Sequence, residues 1–345
     1  MVYFKFIVLL FFIAFVSSML THSIRILSLK YKIFDIPNNR SSHDVPTPKG
    51  GGVSIVVLLM MTIMVLSFYD LIDKDILMSL SIGLIIVSII GLIDDYKNLP
   101  ILIRAIGYIV AIMISLKYIG ELTSVEVNNN SLYLGYSGYI FSVLFVFWLT
   151  NLYNFMDGTD GFAGIQTICV SMFIGVILYL SGHMSLAIIL FCVASSTIGF
   201  LYWNWAPAKI FMGDVGSCTL GFLFGLLAIY MEKNGIISIV VWIILLAPFI
   251  GDATFTLFKR IINREKWYEA HNSHAYQKLY QLGISHSKLA IGLLITNVFI
   301  IWPFAYFAHS YKNIEFMMLI SSYCIFSIIW LIVQNKYKEF EITTF

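Results

Sequence analysis

About eleven apolar stretches, each close to the length that crosses a bilayer, occupy most of this chain and leave little room for anything but membrane helices. They fall near residues 3–20, 51–68, 77–93, 101–119, 132–150, 162–180, 184–202, 215–231, 236–251, 289–308 and 315–334. Inside lipid every backbone N–H and C=O must find an internal partner, so each stretch predicts an α-helix. The expected fold is all-α: a polytopic integral membrane bundle, with residues 1–345 forming one transmembrane domain. The third, eighth and ninth stretches are short, which predicts thinning or kinking there. No internal repeat stands out, and the Gly/Pro-interrupted pairs of inverted-repeat transporters are not evident.

Composition agrees and excludes other classes. Only 12% of the 345 residues are charged, against roughly 25% in soluble domains. The longest polar interval, near 252–288, is too short for an independent soluble domain of about 50 residues or more. With a net charge of +2 and no long basic run, nothing points to nucleic acid. Cys169, Cys192, Cys218 and Cys324 form no Cys-x-x-Cys pair and read as packing residues. The start of the chain lacks an Ala-x-Ala-like cleavage site and reads as an uncleaved first span.

Alternation through the spans sorts the connections into two sets. One set holds 21–50, 94–100, 151–161, 203–214, 252–288 and the tail after Gln334. Sixteen of the 21 Lys and Arg residues lie nearer that set, and five lie nearer the other. The positive-inside bias makes the basic set cytoplasmic, with the N-terminus outside and the C-terminus inside.

The chain's polar motifs all fall in the cytoplasmic set. Gly91-Leu92-Ile93-Asp94-Asp95 ends an apolar run on two adjacent carboxylates, which repel unless a cation or donor lies between them. Asn154-x-x-Asp157-x-x-Asp160, if helical, aligns three polar side chains on one face, with Gly158, Gly161 and Gly164 permitting close approach. Its offsets do not match an EF-hand, and it lacks the Arg of the CDP-alcohol phosphotransferase signature. Phe211-Met212-Gly213-Asp214 sets one carboxylate at the start of a span, suiting either a helix N-cap or a magnesium or phosphate site. His271-x-x-His274, whose spacing of three would align the two imidazoles on a helix, follows Arg260, Arg264 and Lys266 and offers donors to an anion; zinc would need further ligands. The stretch Asp35 to Gly52, with Asn38, Asn39, Arg40, Lys49 and three consecutive glycines, has the makeup of an anion cradle without being a Walker A loop.

Taken in this order, the motifs from Asp35 to about Leu279 resemble the polyprenyl-phosphate N-acetylhexosamine-1-phosphate transferases. That superfamily, glycosyltransferase family 4, includes phospho-N-acetylmuramoyl-pentapeptide transferase. The stretches Pro37 to Gly52 and His271 to Gln277 are similar to its O-antigen-initiating branch. The three consecutive histidines of the cell-wall branch are absent, and Asn272 stands where relatives often carry a basic residue. The resemblance implies attack by undecaprenyl phosphate on the β-phosphorus of a UDP-N-acetylhexosamine, with release of UMP at the cytoplasmic face of a bacterial inner membrane. It implies magnesium, or manganese, held by Asp214 and Asp157. It makes Asp94, Asp95 and Asp214 catalytic candidates, with Asp94 either a base or a neighbour of the metal. Lys49, Asn154, Asp157, Asp160, His271 and His274 would bind substrate. A homodimer and a monomer are both compatible with the sequence. The rival reading is a secondary transporter with a carboxylate ion site, which would place acids near the bilayer midplane in broken helices.

Overall fold

The computed structural model describes residues 2–37, 42–266 and 271–344. Asn38, Asn39, Arg40 and Ser41 of the first polar motif lie outside the described residues. In order the chain forms α1 (Val2–Lys30), β1 (Phe34–Asp35), β2 (Thr47–Pro48), α2 (Val53–Phe68), α3 (Lys74–Lys97) and α4 (Ile101–Ile119). A hairpin follows, β3 (Ser124–Val127) and β4 (Asn130–Tyr133), then α5 (Ser137–Phe155), α6 (Phe162–Leu180), α7 (Met184–Asn204) and α8 (Asp214–Lys233). The rest is α9 (Ile239–Leu245), α10 (Ala247–Ile262), α11 (Ala275–Gln281), α12 (His286–Thr296), α13 (Trp302–Ser310) and α14 (Glu315–Thr344). A π-helical turn, Asn297–Ile301, makes α12 and α13 one continuous span.

Each of the eleven apolar stretches is helical. Among the described residues nine helices are long and apolar enough to cross a membrane, and α2 is a shorter apolar helix of 16 residues. The ninth stretch is broken: α9 and α10 meet at 78° around Leu246. Pro248 sits in the first turn of α10, where it suits a helix start but cannot continue the helix before it. The expected kink is therefore present there, but the expected shortness of the third and eighth stretches is not. α3 has 24 residues and α8 has 20, because each helix continues past the first charged residue that ends an apolar window. For the same reason 21–30, 151–155 and 252–262 are helix, not loop, and Asp94 and Asp95 lie in the last turn of α3. The fifth span starts later than its apolar stretch, since Asn130–Tyr133 is used by the hairpin. Asn128 and Asn129 turn that hairpin with φ of 50° and 62°, a left-handed pair that asparagine tolerates.

α8 is the axis of the bundle. Every residue from Val215 to Ile229 is buried, as expected of a helix apolar on all sides. By contrast, α1 exposes Phe11, Phe12 and Phe15 on its outer face. Buried hydroxyls and amides join the helices: Ser17 donates to the Ser196 carbonyl, Thr21 to Ser54, and Asn297 to Gln166. Cys169, Cys192 and Cys218 are buried and Cys324 is exposed, and all four are unpaired thiols.

Glycine lets α2, α3 and α8 approach closely beneath the polar end. A Cβ on Gly52 would run into the Gly216 backbone, and one on Gly91 into the backbone of Asp214 and Val215. Two backbones cannot yield as a flexible side chain would. Gly52→Ala is therefore expected to destabilise the bundle by about 1–3 kcal/mol, read as an earlier thermal unfolding in detergent.

Candidate active site

The loops at one end of the bundle enclose a cavity of about 670 Å³, where α3 and α5 end and α6 and α8 begin. Asp35, Lys49, Asp95, Asn154, Asp157, Asp160, Asp214 and His271 all contribute to its wall. Residues separated by more than two hundred positions thus meet in one chamber, and it is strongly acidic.

The adjacent carboxylates of α3 are held apart by different partners. Asp95 accepts hydrogen bonds from the Asp214 N–H at 3.0 Å and the Val215 N–H at 3.2 Å, so it caps α8 from another helix. Lys49 lies 3.7 Å away. Gly213, at φ 77°, leaves the space that Asp95 fills, since a Cβ there would meet its carboxylate. Asp94 is not part of the cavity wall. Its carboxylate takes the Leu99 N–H at 2.5 Å and Arg104 Nη1 at 2.6 Å.

The same Arg104 nitrogen donates to Asp214 Oδ2 at 2.9 Å, and Asn154 Nδ2 donates to Asp214 Oδ1 at 2.8 Å. Asp214 is thus the first residue of α8, fixed in orientation by α4 and α5. Asp157 and Asp160 are not helical. They sit in the turn between α5 and α6, so the predicted one-face alignment does not form, although both line the cavity with Asn154. Burial, then Asp214, Asp95, Asp160 and Asp35, pushes the Asp157 carboxyl well above its ordinary range. Asp160 accepts the Ala208 N–H at 3.0 Å and lies 3.2 Å from His286 Nδ1. Asn204 accepts the Gly161 N–H and donates to the Ile210 carbonyl, tying this turn to the loop before α8.

The two histidines of the last motif take different places. His271 lines the cavity, with its Nδ1 at 2.9 Å from Ser273 Oγ. His274 is not on the wall. It is the buried N-cap position of α11, its ring 4.8 Å from that of His271 and its Nδ1 3.8 Å from Asp252. Asp252 caps α11, accepting from the N–H groups of Ala275 at 2.8 Å and Tyr276 at 3.1 Å. Helical alignment of the pair is therefore absent, and their proximity comes from a turn.

Arg104, Asn204, Asp252 and His286 were not singled out by the sequence. Arg104 carried a signal, a charge within an apolar stretch, which is rarely idle. His286 carried none, because its partner Asp160 is 126 positions away.

Among the described residues no three His, Cys, Asp or Glu side chains form a ready metal cage. Magnesium does not require one, since it commonly binds one or two carboxylates and completes its shell with phosphate oxygens and water. Cavity-facing Asp157 and Asp214 fit that donor set, and the surplus of carboxylates over Lys49 leaves room for a cation.

These features define a multi-pass membrane protein with an acidic, loop-built chamber at one end of its bundle. Residues 77–232 match the model of glycosyl transferase family 4. The chain is 33% identical over 297 residues to the probable undecaprenyl-phosphate N-acetylglucosaminyl 1-phosphate transferase of Bacillus subtilis, covering 82% of this chain and 81% of that protein. It is 36% identical over 195 residues to a phospho-N-acetylmuramoyl-pentapeptide-transferase of Clostridium perfringens, covering 55% of this chain and 58% of that one. The corresponding enzyme of Fusobacterium nucleatum is 31% identical over 234 residues, covering 58% of this chain and 64% of the enzyme. The chain belongs to glycosyl transferase family 4, the superfamily of polyprenyl-phosphate hexosamine-1-phosphate transferases.

Proposed function

We propose that this protein transfers an N-acetylhexosamine-1-phosphate from a UDP-sugar to undecaprenyl phosphate, releasing UMP and starting a lipid-linked surface glycan such as an O-antigen. The observation that carries the reading is the meeting of Lys49, Asp95, Asn154, Asp157, Asp160, Asp214 and His271 in one cavity at the helix ends. A transporter would place its ion site near the midplane in broken helices. Here the broken pair, α9 and α10, contributes no residue to the cavity wall.

In this reading an oxygen of the lipid phosphate forms a bond to the β-phosphorus as the bond to UMP breaks. Phosphoryl transfer between two anions depends on positioning and on neutralising charge. Lys49 and His271 donate to the diphosphate, and Asn154 and Asp160 hold the nucleotide. Asp157 and Asp214 would hold magnesium. The ion would supply charge neutralisation for the diphosphate and the departing UMP. Arg104 and Asn154 fix the Asp214 carboxylate before substrate arrives, so little reorganisation remains for the reaction itself. Asp95 faces the cavity and is the better placed of the α3 pair to meet a lipid phosphate, whereas Asp94 positions Arg104. His274 supports His271 from behind.

The test is to incubate purified protein with undecaprenyl phosphate, magnesium and each of a panel of UDP-N-acetylhexosamines, then weigh the lipid product. A lipid diphosphate-sugar with one preferred donor supports the reading and identifies the sugar. Lipid unchanged with every donor opposes it.

The same reading puts the cavity on the cytoplasmic side of a bacterial inner membrane. A cysteine introduced beside His271, at Asn272, is expected to escape an impermeant thiol reagent added to intact cells and to react once the membrane is opened. Labelling from outside would reverse the topology.

A further inference from the structure

A second polar cluster lies outside the cavity, where α10, α11 and α14 meet. Lys259 of α10 and Lys278 of α11 both donate to one oxygen, Oε1 of Gln334 in α14, at 2.8 and 2.6 Å. Two ammonium groups therefore converge on a single neutral acceptor. Among the described residues neither lysine is paired with a carboxylate. Gln334 is buried, and its Nε2 has no hydrogen-bond partner. The cluster is rich in donors and short of acceptors.

These groups line a groove of about 820 Å³ whose remaining wall includes Phe258, Ile262, Trp330 and Leu331. Phe258, Ile262 and Leu331 are more than half exposed, the first two on the second half of the bent apolar pair and the third on α14. Lys259 lies over the Trp330 ring at 5.7 Å and Lys278 over the Tyr337 ring at 4.6 Å, so aromatic faces hold both ammonium groups at the groove. Lys338 adds a third cation, and Glu341 is the one acid among the lining residues. Burial, followed by the nearness of Lys259, holds the Lys278 ammonium below its ordinary pKa. Lysines that share one neutral acceptor and outnumber the acids of the groove, beside an exposed apolar wall, complement a molecule with an anionic head and hydrocarbon chains.

We propose that the α10–α11–α14 groove binds an anionic phospholipid of the surrounding bilayer, its phosphate between Lys259 and Lys278 and its acyl chains along Phe258, Ile262 and Leu331. The proposal does not depend on the transferase reading. The bound lipid would brace α11 against α14, and α11 is the helix that follows His271 and His274.

The test is native mass spectrometry of the full-length protein in detergent, titrated with phosphatidylglycerol or phosphatidylcholine. Wild type is expected to retain phosphatidylglycerol at least tenfold more readily than phosphatidylcholine. The K259Q/K278Q variant should lose that preference, and K259R/K278R should keep it. Equal retention of the two lipids by wild type would overturn the proposal without reference to any variant. Undiminished preference in K259Q/K278Q would place the lipid elsewhere. An excess of inorganic phosphate that strips the lipid would show a free-anion site and count against it as well.

Discussion

An Asp214→Asn variant is expected to release UMP at least about a hundredfold more slowly than wild type, the scale of losing one preorganised charge-stabilising group. The substitution removes one of the two carboxylates that fit magnesium while leaving a side chain of the same shape. An asparagine oxygen can still accept from Arg104 or Asn154, but its amide nitrogen then faces a second donor in place of an acceptor. A modest fall in thermal stability should accompany the loss of turnover. Asp94 still pairs with Arg104 in the variant, so the bundle should fold and insert. Turnover near the wild-type rate would remove Asp214 from the metal-binding role.

Arg104→Ala should have the largest effect on stability. It leaves Asp94 and Asp214 without their shared cation at a largely buried site, and breaking such a pair from one side costs on the order of 3 kcal/mol. Activity should fall with it, because Asp214 loses one of its two anchors. Both contacts use the same nitrogen, Nη1, so a lysine at this position can satisfy both and should recover much of the stability. Thermal unfolding of the two variants in detergent checks this. Equal losses in Arg104→Ala and Arg104→Lys would show that guanidinium shape, and not charge, holds the α3–α4–α8 corner together.

Much of this protein was legible in its sequence because lipid permits so few structures. Apolar stretches of span length had to become helices, and each of the eleven did. Their ends were harder to read. Hydropathy windows stop at the first charge, whereas a helix continues until its backbone meets water or a breaker, as α3 does beyond Asp94 and Asp95. The polar motifs were visible because each is costly in such a chain. Their geometry was not, because spacing of three reads as helix when the chain instead makes the turn from Met156 to Gly161 or the stretch from His271 to His274. Adjacency in sequence also concealed a division of labour. Asp94 and Asp95 look equivalent on paper, yet one binds Arg104 outside the cavity wall and the other caps α8 within it. Long-range pairs such as Asp160 with His286 leave no local pattern at all.

Sugar-phosphate transfer onto a lipid phosphate is the function proposed for the acidic chamber. It is tested most directly by following UMP release from the purified protein while omitting undecaprenyl phosphate, the UDP-sugar or magnesium in turn. Release is expected only when all three are present. Release that continues without the lipid, or no release from folded protein across the whole donor panel, would contradict it.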